Sequence, residues 1–242
     1  MNEDLALVVP DTDKNDIKHP KLSEQGVIPK LGSSILLVGK SGSGKSVLLY
    51  NLLKDKRFYG SAFKRVFLCS PTGDFDDTLQ GLELPEGQIF TDLKQAAVAI
   101  GSIHKAQAEQ IQQHGNGPVA QYALALDDVI GDTKFMGSPS FLRSFIAPRH
   151  FNFTTFLCSQ HLRKVPKAAR LQAAMVYLFA CSRSEMDTIC EEYCPSCISK
   201  QGFEAMLERV WNEGPHEFVS IHLRQPLETR YRHGLNKPLG LY

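Results

Sequence analysis

Gly39-Lys40-Ser41-Gly42-Ser43-Gly44-Lys45-Ser46 is the stretch that decides the fold. It satisfies G-x-x-x-x-G-K-[ST] at every fixed position. The apolar run Ile35-Leu36-Leu37-Val38 precedes it, and Val47-Leu48-Leu49 with Leu52-Leu53, spaced as one helix face, follows. A buried strand, a glycine turn and an opening helix form the context in which such a turn binds phosphate. Glycines let successive backbone N–H groups turn inward, and the helix N-terminus adds positive potential. Gly39, Lys40, Ser41, Gly42, Ser43, Gly44, Lys45 and Ser46 are therefore the expected nucleotide-binding residues. Lys45 is placed to reach the β- and γ-phosphates, and the Ser46 hydroxyl to ligate Mg²⁺.

Outward from this loop, apolar runs alternate with helical periodicity. Strands are expected at 65–69, 122–126, 153–158 and 175–180, and a long helix at 92–113 stopped by Gly115-Asn116-Gly117-Pro118. Short helices are expected at 140–147 and 166–174. A helical stretch at 185–211 breaks near Pro195, and 216–223 reads as an edge strand paired with 228–232. The expected fold class is α/β, a P-loop NTPase with a central, mostly parallel β-sheet flanked by helices on both faces. Residues 1–30, polar and punctuated by Pro10, Pro20 and Pro29, read as an N-terminal arm outside the core of an ATPase domain at 31–242.

Tyr122-Ala123-Leu124-Ala125-Leu126-Asp127-Asp128 ends an apolar strand in two adjacent acids. Like charges repel in a partly desolvated place, so stability gives little reason for such a pair. Asp127 suits holding Mg²⁺, and Asp128 suits polarising the attacking water as general base. A loop-start pair capping the next turn is the structural alternative. Asp128-Val129-Ile130-Gly131 also spells D-x-x-G, an element of small GTPases. Guanine recognition usually needs a later Asn-Lys-x-Asp, and Asn236-Lys237-Pro238 lacks the Asp. A small-molecule kinase shares the loop but seldom ends this strand in paired acids. The expected chemistry is ATP hydrolysis, with ATP and Mg²⁺ as cofactors.

Composition agrees with a globular domain: 43% hydrophobic, 22% charged and a net charge of +1. The charge is segregated, with no acid between Asp132 and Glu185 while that span holds eight Lys and Arg residues. Such a span suits phosphate binding or a solvated basic face. No run of about 18 apolar residues points to a membrane span. The N-terminus lacks the features of a secretory signal, and Cys69, Cys158 and Cys181 lie in apolar runs as reduced thiols do. A cytosolic or nuclear compartment is expected. Cys190, Cys194 and Cys197, with His216 or His222, are a conceivable zinc set, but a single short-spaced group fits core or surface thiols better.

Beyond the acids come Arg149-His150, the strand Thr154-Thr155-Phe156-Leu157-Cys158 ending in Ser159-Gln160-His161, and Pro166 with Arg170. This order resembles the FtsK–HerA superfamily of DNA-pumping ATPases. Within it, the chain is similar to the poxvirus-type genome-packaging ATPases of large DNA viruses, virophages and related elements. The resemblance implies a motor that translocates double-stranded DNA without reading sequence, assembled as a hexameric or pentameric ring. It further implies contacts with capsid or portal vertex proteins, and a place in host cytoplasm or nucleus at assembling virions. Gln160 resembles the sensor beside the γ-phosphate. Arg149 resembles the finger reaching a neighbour's ATP, with Arg143 and Arg170 as rivals, since a delocalised fork suits spread phosphoryl charge. Arg163, Lys164 and Lys167 are candidate DNA contacts. The family usually has Gly where Pro148 stands and often Glu where Asp128 stands. Another FtsK–HerA translocase, or an ATP-binding capsid-assembly protein that pumps nothing, remain alternatives.

Overall fold

A computed structural model describes residues 17–72, 77–115 and 117–240. In chain order the elements are α1 (Lys21–Glu24), β1 (Ser34–Val38), α2 (Lys45–Lys54), β2 (Arg65–Cys69), α3 (Asp77–Gln80), β3 (Ile89–Phe90) and α4 (Leu93–His114). There follow β4 (Tyr122–Asp127), α5 (Thr133–Met136), α6 (Pro139–Ile146), β5 (Phe153–Ser159), α7 (Lys167–Gln172) and β6 (Met175–Phe179). The chain continues through α8 (Arg183–Tyr193), α9 (Lys200–Trp211), β7 (Phe218–His222), α10 (Leu227–Arg230), β8 (Tyr231–His233) and β9 (Lys237–Pro238).

The strands form one nine-stranded sheet in the order β3-β2-β4-β5-β1-β6-β7-β8-β9. The first six in that order run parallel, and β7 to β9 add an antiparallel wing. All five residues of β1 and all seven of β5 are buried. Alternation divides β1 between two cores: Leu36 and Val38 join one, Ile35 and Leu37 the other. Helices cover each face, so a parallel strand has no polar side and reads as a continuous apolar run.

The expected elements recur with ends shifted by a residue or two, and three readings change. Residues 216–223 are not an edge: β7 pairs with β6 on one side and β8 on the other. The alternation there arises because Val219 and Ile221 pack inward while Ser220 donates to the Gly234 carbonyl. Residues 227–230 form α10, so the partner strand begins only at Tyr231. Of the arm, residues 1–16 lie outside the described residues, while 17–30 is irregular apart from α1. It is not wholly outside the core. Ile28 is fully buried beside α2, and the Pro29 carbonyl accepts a hydrogen bond from the buried Tyr59 hydroxyl. Two-residue β3 was missed because its pattern is too short to register.

Helix ends carry ordinary chemistry. Asp92 caps α4 by accepting from the Lys94 and Gln95 amides, and Gly115 ends it at φ 78°. Arg170 ties α7 to α8: Nε and Nη2 meet the two Glu192 carboxylate oxygens at 3.0 and 2.7 Å. Its Nη1 donates to the carbonyls of Leu162, Arg163 and Val165. Both side chains are largely buried. Among the described residues, no helix is long and apolar enough to cross a membrane.

Two buried histidines lie in the same fabric. His104 stacks on Phe151 at 4.4 Å and meets the Ser144 hydroxyl, and burial depresses its pKa to about 4. His222 on β7 is likewise depressed to about 4, by burial first and then by Arg224. Both values lie below the unfolded 6.5, so the unfolded chain binds more protons between these pH values. Stability should therefore be complete above pH 6.5 and fall as pH drops towards 4. A melting temperature unchanged from pH 7 to pH 4.5 contradicts this. Arg170→Ala leaves Glu192 buried without its partner and should cost about 3–5 kcal/mol in denaturant unfolding. A loss within about 0.5 kcal/mol, as for an ordinary surface change, contradicts the account.

Candidate nucleotide and hydrolysis site

The glycine turn 39–44 leaves the C-terminal end of β1 and is pinned on both sides. The Gly39 amide donates to the Ser159 carbonyl at the end of β5, and the Lys40 amide to the Ala180 carbonyl after β6. Gly42 and Gly44 adopt φ 71° and 101°, which residues with a Cβ rarely adopt. At Gly39 a Cβ would stand 2.5 Å from that of Phe179, so only glycine fits there.

Beneath this turn is a cavity of about 380 Å³, into which Ser41, Gly42, Gly44, Lys45 and Ser46 face. Asp127, Asp128, Ser159 and Gln160 line its other side. Sheet order explains the convergence. β5 lies between β1 and β4, with Leu37 beside Cys158 and Cys158 beside Asp127. Two strand spacings put the loop and the acids about 10 Å apart, with the end of β5 between them. Gln160 therefore stands between phosphate loop and acidic pair. Asp127 is half-buried at the strand end, while Asp128 is exposed. Asp128 takes φ 52° and ψ 26°, a left-handed conformation sparsely populated for a residue with a Cβ. Such strain tends to persist where a side chain must be aimed.

The Lys45 ammonium donates to the carbonyls of Gly39 at 2.9 Å and Lys40 at 2.8 Å. Burial pushes its pKa below the ordinary lysine value, while Cys158, Asp127, Cys181 and Asp128 pull the other way. A buried cation held by neutral carbonyls gains from an anion alongside. The Ser43 hydroxyl is also buried within the loop, without a hydrogen-bond partner among the described residues. Phosphate oxygens suit both needs. A hydroxyl (Ser46) and a carboxylate (Asp127) facing one cavity are the hard oxygen donors a Mg²⁺ ion accepts.

Arg149 is not brought here. It sits in the short 148–151 turn before β5, at the opposite end of that seven-residue strand, roughly 20 Å away. Its Cγ packs against Gly32, where a Cβ would approach to 2.7 Å. Around it is a separate cavity of about 520 Å³, also lined by His19, Lys30, His150 and Arg224. Among the described residues no carboxylate lines that cavity. Arg224 is exposed in part, and burial followed by the Arg149 charge lowers its pKa. Sequence reading missed Arg224, which carries no motif.

Of the rival fingers, Arg170 is committed to Glu192 and three carbonyls. Arg143 is exposed on α6. Arg163, a candidate DNA contact, is exposed and lies against α8, with Nε donating to Thr188 and Nη2 to the Ser184 carbonyl. Lys164 and Lys167 remain exposed. Cys190 is buried on α8 and burial pushes its thiol up to about 12, whereas Cys197 is exposed. Among the described residues no group of three or more His, Cys, Asp or Glu is arranged to hold a metal ion. His216 lies instead in the phosphate cavity, together with Thr72 and Thr78. These three were missed. Thr72 follows β2 at the carboxyl end of the sheet, where ligands of such folds bind, and that signal could have found it.

Solved structures share this architecture. The genome packaging NTPase B204 from Sulfolobus turreted icosahedral virus 2, in complex with AMPPCP, aligns with a TM-score of 0.55 at 15% identity, covering 86% of this chain and 99% of that one. EssC (ATPases 2 and 3) from Geobacillus thermodenitrificans gives 0.57 at 10% identity over 79% and 38%. The cytoplasmic domain of the type VII secretion ATPase EccC from Thermomonospora curvata gives 0.54 at 16% over 80% and 24%. At these identities the likeness shows the fold. No curated protein matches significantly. The sequence matches the family described as poxvirus A32 protein over residues 30–207, which holds the turn, both acids, Arg149 and Gln160. That span is well over half of the chain, and the chain belongs to the poxvirus A32 protein family.

Proposed function

We propose that this chain is an ATP-hydrolysing motor that drives double-stranded DNA into a viral capsid. The observation that carries it is the meeting of Lys45, Ser46, Asp127, Asp128 and Gln160 on one cavity, in a chain of this family. B204, with the same fold, is a genome packaging NTPase seen with a nucleotide analogue.

In this reading the N–H groups of 39–46 and the Lys45 ammonium receive the β- and γ-phosphates. Ser46 and Asp127 would hold Mg²⁺, which when bound neutralises charge on the phosphate oxygens. Asp128 orients a water and takes its proton as the oxygen attacks the γ-phosphorus. The bond to the β–γ bridging oxygen breaks, leaving ADP and phosphate. Gln160, at the end of the intervening strand, contacts the γ-phosphate or that water.

Arg149 lies too far from its own subunit's cavity for a part in this step. It acts on a neighbour's nucleotide, which requires a closed ring, hexameric or pentameric, around the duplex. Symmetry multiplies a few basic side chains per subunit into a lining for backbone phosphates, so a net charge of +1 suffices. Capsid or portal vertex proteins would anchor the ring, in host cytoplasm or nucleus at assembling virions.

Duplex DNA of any sequence should raise ATP turnover several-fold, with the effect fading at high salt. Turnover indifferent to DNA favours an assembly protein that binds ATP without pumping. Asp128→Asn should retain ATP while hydrolysing it at least about 100-fold more slowly. Unchanged turnover removes Asp128 from the base role. Arg149→Ala subunits mixed into wild type should depress activity more steeply than dilution, and a linear dose response contradicts a shared site.

A further inference from the structure

The turn that carries Gln160 is short and closed on itself. Ser159 Oγ donates to the His161 carbonyl at 2.9 Å and accepts from the His161 amide at 3.0 Å. Gln160 is exposed between them and lines the phosphate cavity. Beyond it the chain meets the first turn of α8, where Glu185 is only 5% exposed. One oxygen of that carboxylate accepts from the Arg163 amide at 3.1 Å, and the other lies 3.4 Å from His161 Nδ1. The Arg163 side chain reaches the same helix through Thr188 and the Ser184 carbonyl. Leu162, between His161 and Arg163, is fully buried.

A carboxylate is rarely taken out of water unless it is bonded where it goes. Three residues into α8, an acid could fold back onto the Ser182 amide in the usual capping arrangement. Glu185 instead turns both oxygens to the 161–163 segment. Among the described residues neither His161 nor Glu185 lines the phosphate cavity, so Glu185 has no place beside the reacting atoms. We propose that Glu185 is a positioning residue for ATP hydrolysis: by holding His161 and Arg163 it fixes the turn that presents Gln160 to the γ-phosphate. A misplacement of about 1 Å at such a point can cost on the order of 100-fold in rate. Without the pin, the exposed amide of Gln160 is free to leave its place. The glycine turn holds phosphate through its own amides and Lys45, so Glu185 bears on rate and not on affinity. The inference rests on the sensor role given to Gln160 above and adds what keeps that side chain aimed.

Turnover and ATP affinity of Glu185→Ala, Gln160→Ala and the double variant test it. Gln160→Ala should turn over at least about tenfold more slowly than wild type. Glu185→Ala should lose about tenfold in kcat while its ATP affinity stays within about twofold, which also reports a folded chain. In the double variant the two losses should not multiply, because a residue acting through Gln160 has nothing to act on once that side chain is gone. His161→Ala changes a half-exposed side chain and carries the same test should Glu185→Ala fail to fold. It should slow kcat about threefold, and not at all in the Gln160→Ala background. Wild-type turnover in Glu185→Ala or His161→Ala, or losses that multiply in the double variant, overturns the positioning role. So does a loss of ATP affinity in step with the loss of rate. In each of these cases a slow Gln160→Ala leaves the sensor standing. Gln160→Ala as fast as wild type removes the sensor reading itself, and the role of Glu185 with it.

Discussion

The buried ammonium of Lys45 is the constraint around which the rest is arranged. Among the described residues its hydrogen-bond partners are the carbonyls of Gly39 and Lys40, and burial disfavours its charge. Those carbonyls are where they are because the turn is clamped between the ends of β5 and β6. The clamp in turn needs glycine at 39, 42 and 44. A cation in such a setting is stabilised further by a phosphate alongside. The neighbouring Ser43 hydroxyl, buried without a partner among the described residues, has the same need.

Sheet order turns this local feature into a reaction site. With β5 inserted between β1 and β4, the acids are set apart from the loop, and the amide of Gln160 stands at the strand end between them. The opposite end of β5 carries a second basic region around Arg149 and Arg224. One strand thus joins the cavity of the glycine turn to a basic region at its other end. The committed guanidinium of Arg170 shows the contrast: all three of its nitrogens are engaged within the chain, so its role is to hold α7 on α8.

The strand–turn–helix at Ser34–Lys54 was legible because its parts are local: an apolar run, fixed glycines and a helical stripe within about twenty residues. Asp127 and Asp128 were legible for the same reason. The antiparallel wing was less so, since whether β7 is an edge depends on β8, which begins only after the α10 turn. The burial of Ser23, Gly26, Ile28 and Pro29 was not expected because the proline and charge around them mask it. Thr72, Thr78, His216 and Arg224 have no spacing rule, being gathered from distant segments by the fold alone. The committed partners of Arg163 are of that kind too, as Ser184 and Thr188 lie about twenty residues on.

The most direct measurement is a structure of the protein with Mg²⁺ and a non-hydrolysable ATP analogue. The account predicts the triphosphate wrapped by 39–46 with Lys45 turned onto its terminal oxygens, and the metal between the Ser46 hydroxyl and Asp127. A nucleotide seated elsewhere, or a metal held without either residue, would contradict it.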